Sequence, residues 1–118
     1  GAHITQFCGT GDTTHLLEHY VRETQKMSLP KAIFRMTKEV ADDWGIKDRG
    51  VIEKGRAADI VLFDINSVGI SDESFVNDFP GEANRYMRYS KGYEYVIVNG
   101  SVVYQNNQYT NEKSGQVV

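Results

Sequence analysis

The stretch from Gly45 to Asp64, GIKDRGVIEKGRAADIVLFD, constrains this chain more than any other. Gly45 follows a helical pattern, and a residue without Cβ can take the left-handed conformation that closes a helix. Gly50 and Gly55 divide the next dozen residues into short segments, as tight turns with positive φ require. Ala57 and Ala58 lead into Asp59 and the unbroken apolar run Ile60 to Phe63. A run this short, rich in β-branched and aromatic residues and bounded by aspartates, predicts a strand buried on both faces.

Two helical patterns precede this stretch. Asp12 or Thr13 supplies an N-cap, and Leu16, Leu17, Tyr20 and Val21 then recur at helical spacing, with Glu18, Arg22 and Glu23 on the opposite side. Ser28 caps a second helix, whose first turn accepts Pro30 because the lost N–H had no partner there. Its predicted buried stripe is Ala32, Ile33, Met36, Val40 and Trp44. The two helices make an αα-hairpin.

After Asp64 the periodicity disappears as far as Gly92. This span reads as a long connection, with Phe75, Phe79, Tyr86, Met87 and Tyr89 as scattered anchors and Asp78 to Ala83 as a Pro-Gly turn. Asn99-Gly100 is the strongest short hairpin signal in the chain, since both residues accept the positive φ of a type I′ turn. Asn106-Asn107 predicts a second turn and Gln108 to Thr110 a third short strand. Asn111 to Val118 is a polar, loosely held tail. The expected fold class is α+β: an N-terminal helical hairpin, then a small antiparallel sheet of Val51–Glu53, Asp59–Phe63, Tyr93–Val98 and Val102–Gln105.

Charge and composition exclude several functions. The 118 residues carry a net charge of −3 and no basic run, which argues against nucleic acid or a membrane surface as partner. No apolar stretch approaches the roughly 18 residues a spanning helix needs, and no signal-peptide pattern opens the chain. A single cysteine, Cys8, forms no internal disulfide and favours a reducing, cytoplasmic setting. Cys8 itself reads as a small apolar filler.

One short motif carries chemistry of its own. His15-Leu16-Leu17-Glu18-His19 fits H-x-x-E-H, in which two imidazoles one helical turn apart grip Zn²⁺ while the glutamate activates its water. Set against this small zinc hydrolase is the reading of His15 and His19 as ordinary helix-surface or packing histidines.

The spelling G-x-x-D-R-G-x-I-x-x-G-x-x-A-D-I-V-x-F-D from Gly45 to Asp64 resembles the signature with which amidohydrolase-superfamily enzymes leave their catalytic barrel and enter an accessory β domain. Asp78-Phe79-Pro80-Gly81-Glu82-Ala83 resembles an Asp-Phe-Pro-Gly-Gly-Ala segment of D-aminoacylase-like relatives. The hairpin Val96 to Val103, V-I-V-N-G-S-V-V, is similar to the one that closes the family's accessory β-sandwich. Gly1-Ala2-His3 resembles the Gly-Ala-His that follows the last barrel strand in N-acyl-D-amino-acid deacylases.

The resemblance implies a division into residues 1–45, the last helices of a truncated (β/α)8 barrel, and residues 46–118, half of the accessory β-sandwich. It implies a parent enzyme in which a bound metal, zinc, activates water against the amide of a small-molecule N-acyl amino acid. The metal-site aspartate falls before Gly1 and the other ligands lie further upstream, so no catalytic residue is expected in this chain, and His3 falls near the barrel mouth. The chain alone is expected to be inactive. Its partners are the missing N-terminal part of the parent or a second copy in a homodimer, for open sheet edges template pairing. A non-catalytic packing or oligomerisation module is the alternative. The family's His-Pro-Arg loop, whose arginine clamps the substrate carboxylate, has no counterpart, since no arginine precedes Arg22. The acyl group and amino acid are therefore left open.

Overall fold

The computed structural model describes residues 11–117, so His3, Cys8 and the Gly-Ala-His segment lie outside the described residues. The first helical stretch begins as α1 (Asp12–His15) and runs directly into a π-helical segment, Leu16–Glu23. The second is α2 (Leu29–Met36) followed by α3 (Lys38–Asp43). Eight strands come after the helices: β1 (Ile60–Phe63), β2 (Gly69–Ile70), β3 (Ser74–Val76), β4 (Arg85–Met87), β5 (Ser90–Lys91), β6 (Tyr93–Val98), β7 (Ser101–Gln105) and β8 (Gln108–Tyr109). No described helix is long and apolar enough to cross a membrane.

Neither predicted side-chain cap forms. The first helix starts one residue earlier, on Gly11 at φ 90°, whose carbonyl accepts from the His15 N–H at 2.7 Å. Glycine is needed there twice over, because a Cβ would also come within 2.8 Å of the Ile70 side chain. Ser28 does occupy the N-cap of α2 in extended conformation, with Pro30 in the first turn, yet its hydroxyl makes no capping bond.

The single second helix breaks at Thr37, at φ −126° and ψ −82°, and the Thr37 hydroxyl donates back to the Ile33 carbonyl at 2.7 Å. That break resets the helical face. Ala32 and Ala41 are buried, whereas Val40 and Trp44, placed on the buried stripe by uninterrupted periodicity, are exposed, Trp44 to 80%.

A four-stranded antiparallel sheet in the order β1-β6-β7-β8 forms the larger β unit. Its turns are those the sequence predicts: Asn99 and Gly100 at φ 47° and 83°, Asn106 and Asn107 at 52° and 60°. Gly45, Gly50 and Gly55 also take positive φ. Three further expectations fail. Val51–Glu53 is not a strand, because this segment closes a tight loop, with Ala57 N–H donating to the Asp48 carbonyl and Arg56 N–H to that of Glu53, and has no ladder partner. And β1 is not buried on both faces: it is an edge strand, paired with β6 alone, and exposes Val61 to 49% and Leu62 to 41%. The supposed loop from Ile65 to Gly92 instead contains two small antiparallel pairs, β2 with β5 and β3 with β4. Strands of two or three residues are too short to print a period.

The core sits where the helices meet β2 and the mouth of the sheet. Leu17, Ala32 and Val68 are buried together, with Leu16, Met27, Ile33, Phe63, Ile65 and Tyr93 packed around them. It is small, and the radius of gyration, 16.0 Å, exceeds the roughly 13.5 Å of a compact domain this long.

Candidate functional site

The H-x-x-E-H motif straddles a junction: His15 ends α1, and Leu16 to His19 open the π-helical segment, where i→i+5 bonding widens the turn. Thr24 N–H reaches the His19 carbonyl at 2.9 Å, and the Thr24 hydroxyl donates to the same oxygen at 2.8 Å. His15 and His19 are brought together: their rings stack with centroids 5.1 Å apart and planes 4° apart, and Tyr20 meets both edge-on. His19 Nδ1 lies 3.1 Å from a Glu23 carboxylate oxygen.

Glu18 takes a different course. One carboxylate oxygen accepts from Arg22 at 3.2 Å and the other from the Ile70 N–H at 3.1 Å. Arg22 in turn donates to the carbonyls of Ile65, at 3.3 Å, and Val68. This clamp ties the helix to the segment leading into β2. Gly69 is part of it, for a Cβ there would run into the Glu18 carboxylate. Beside it, buried Thr14 shares hydrogen bonds with Ser90 Oγ at 2.9 Å and Tyr93 Oη at 2.8 Å. Among the described residues no three His, Cys, Asp or Glu side chains are gathered as a metal ion requires.

A second polar assembly was not visible as a motif. Arg49 Nε donates to Asp59 at 2.7 Å, Nη1 to Asp48 at 2.7 Å and Nη2 to Asn99 Oδ1 at 2.8 Å. The other Asp59 oxygen accepts the Asn99 N–H at 2.7 Å, and Asn99 Nδ2 donates to the Ser114 carbonyl at 2.6 Å. Ser114 Oγ closes onto the Val98 carbonyl at 2.8 Å. Hydrogen bonds from Arg49 to Asp59, then to Asp48, hold the guanidinium above its already high pKa. The three most specific spellings in the chain, D-R-G, A-D-I and V-N-G, thus meet in one clasp. The only signal available beforehand was an arginine with acidic residues one position before and ten positions after it.

Two open depressions accompany these assemblies. One, of about 430 Å³, is lined by Lys38, Asp42, Lys47, Arg49 and Arg56, with Ala41, Gly45 and Ile46. It is cationic in composition, yet Lys38 is paired with Asp42, Arg49 with Asp48 and Asp59, and Arg56 with Glu53. The other, of about 260 Å³, lies between Tyr93, Glu94, Tyr95, Asn106 and Asn107. Neither wall offers a nucleophile hydrogen-bonded to a base, so neither geometry supports covalent or general-base chemistry.

The described residues form a scaffold with two polar ties, and comparison with known proteins says which scaffold. The model of the amidohydrolase family matches residues 2–104. The chain belongs to that family. Among curated proteins this amidohydrolase chain is 32% identical over 108 residues to an N-acyl-D-aspartate deacylase of Alcaligenes xylosoxydans xylosoxydans, covering 92% of the chain and 20% of the relative. It is 36% identical over 94 residues to an N-acyl-D-glutamate deacylase of the same organism, covering 80% of the chain and 17% of the relative. A crystal structure of a D-aminoacylase superposes with a TM-score of 0.70 at 27% identity, over 89% of the chain and 20% of that structure. A second D-aminoacylase structure, of an enzyme with a binuclear metal centre, gives the same TM-score and identity over the same shares. The amidohydrolase chain therefore spans about a fifth of the length of the relatives it matches.

Proposed function

We propose that this chain is the C-terminal part of a metal-dependent hydrolase that cleaves the amide bond of N-acyl-D-amino acids, and that it has no such activity alone. The observation that carries this reading is the match of 92% of the chain to one fifth of an N-acyl-D-aspartate deacylase. The described residues do not fit the metal centre of a D-aminoacylase. Its ligands, zinc-binding in our reading, are assigned to residues beyond this chain, and no chemical step is routed through the residues described.

In this reading residues 1–45 cover the end of the barrel and residues 46–118 form half of the accessory β-sandwich. Uncovered apolar surface supports it: Trp44, Ile52, Val61 and Leu62 are exposed on a chain whose core is small. Isolated apolar residues on a surface are ordinary, but an edge strand with apolar side chains on both faces is a surface made to be covered. The remainder of the parent is the cover we assign. In its absence a second copy takes that place, and the isolated chain is a homodimer.

The test pairs two proteins: the longer protein carrying this segment and the isolated chain, each assayed on N-acetyl-D-aspartate and N-acetyl-D-glutamate with and without chelator. Chelator-sensitive hydrolysis by the longer protein alone supports the reading. No hydrolysis by the longer protein of any N-acyl-D-amino acid overturns the substrate assignment.

A further inference from the structure

We propose that Asn99-Gly100 is a guarded deamidation site, kept intact by the clasp around Arg49 and converted once that clasp opens. An asparagine followed by glycine is the dipeptide most prone to this chemistry, because no side chain on the following residue hinders its amide nitrogen. The Gly100 nitrogen, deprotonated, attacks Asn99 Cγ; the new N–C bond forms, the Cγ–Nδ2 bond breaks and ammonia leaves, giving a five-membered imide. Water then opens the ring at either carbonyl, leaving aspartate or isoaspartate. The net change is one water consumed and one ammonia released, with no oxidant or reductant.

Every atom this reaction must move is engaged in the folded chain. The attacking nitrogen donates its proton to the Ala58 carbonyl at 3.0 Å. The leaving nitrogen, Nδ2, is held by the Ser114 carbonyl, and Oδ1 by Arg49. The backbone N–H of Asn99 is fixed by Asp59, with φ at 47° in the tight turn between β6 and β7. Attack requires the side chain to swing toward its own following amide, which cannot happen until Arg49, Ser114 and Ala58 release their hold. The gate is local opening of the hairpin end.

Conversion is also one-way in its consequences. A carboxylate at position 99 would stand beside Asp48 and Asp59, two acids that already share Arg49. Isoaspartate would add a backbone methylene at a two-residue turn, where loop length sets strand register. A chain that has opened and reacted therefore cannot rebuild the same clasp.

The experiment incubates the full chain at mildly alkaline pH and follows Asn99 by peptide-mapping mass spectrometry and isoaspartate detection. The reference rates come from a synthetic peptide spanning Val96 to Val103 and from the chain in denaturant. The folded chain is expected to react about tenfold or more slower than either, and Arg49→Ala to recover most of that difference. A chain ending at Thr110 lacks the Ser114 carbonyl but keeps every strand, and is expected to react severalfold faster than the full chain. Leu17→Ala, which weakens the distant core, should leave the rate slow while circular dichroism shows the fold retained. Reaction of the folded wild type at the peptide rate overturns the proposal, as does an unchanged rate in the chain ending at Thr110. Equal acceleration by Leu17→Ala and Arg49→Ala also overturns it, since the gate would then be global unfolding.

Discussion

Arg49 and Asn99, fifty positions apart, are joined by a hydrogen bond of 2.8 Å that fastens the loop after the helices to the tip of the central hairpin. The same guanidinium holds Asp59 at the start of β1, so one side chain ties three segments. Its fork geometry is what makes this possible, since an ammonium offers a point charge rather than a planar set of donors. Arg49→Lys should therefore lower the thermal midpoint by several degrees, and Arg49→Ala by more. Thermal unfolding tracked by circular dichroism checks it, and equal midpoints for Arg49→Lys and wild type would show that the clasp holds nothing together.

Gly92 approaches the backbone of Val68 so closely that a Cβ would lie 2.5 Å from its nitrogen and Cα, and its φ is +80°. Neither the backbone nor the fully buried Val68 can give way. Gly92→Ala is expected to cost about 2–4 kcal/mol through overpacking and strain. Gly115→Ala, which meets nothing, should fall within about 0.5 kcal/mol of wild type. Denaturant titrations of the two variants side by side measure the contrast.

Acid should loosen the arm formed by β3 and β4. Asp78 accepts two hydrogen bonds from Arg85, at 2.7 and 2.5 Å, and these hold its carboxyl below the ordinary 3.8. A depressed carboxylate stabilises the fold fully above the unfolded pKa and loses that contribution as pH falls through its lower folded value. The Asn66 backbone N–H acts on Asp64 in the same direction. Asp78→Asn should lower the midpoint at neutral pH and match wild type in strong acid. A gap that persists undiminished in acid would contradict the pairing.

The histidine pair gives a prediction about metal. His15 and His19 stack on each other while Glu18 is held by Arg22 and Ile70, so the H-x-x-E-H set is not assembled. Elemental analysis of the chain after gel filtration without chelator should find well under one zinc per chain, and His15→Ala should leave stability within about 0.5 kcal/mol. One zinc per chain, lost on His15→Ala or His19→Ala, would restore the small zinc hydrolase.

How much the sequence disclosed depends on how far each signal reaches. Gly45, Gly50, Gly55 and Asn99-Gly100 were legible because a positive φ is demanded of one residue at a time. Val40 and Trp44 were misplaced because periodicity carries no warning of a break such as the one at Thr37. The exposure of Val61 and Leu62 was hidden because an apolar run looks the same whether its cover lies in this chain or elsewhere. Arg49, Asp59 and Asn99 could each be read as local features, but their meeting depends on pairing between β1 and β6 across thirty or more positions. The π-helical segment from Leu16 to Glu23 likewise left no periodic trace.

The most direct measurement is hydrolysis of N-acetyl-D-aspartate and N-acetyl-D-glutamate by the isolated chain, with the longer protein carrying it as the positive control. Chelator-sensitive turnover is expected from the longer protein and none from the chain. Chelator-sensitive turnover by the purified chain alone, at the rate of the longer protein, would contradict the assignment of the metal centre to residues beyond it.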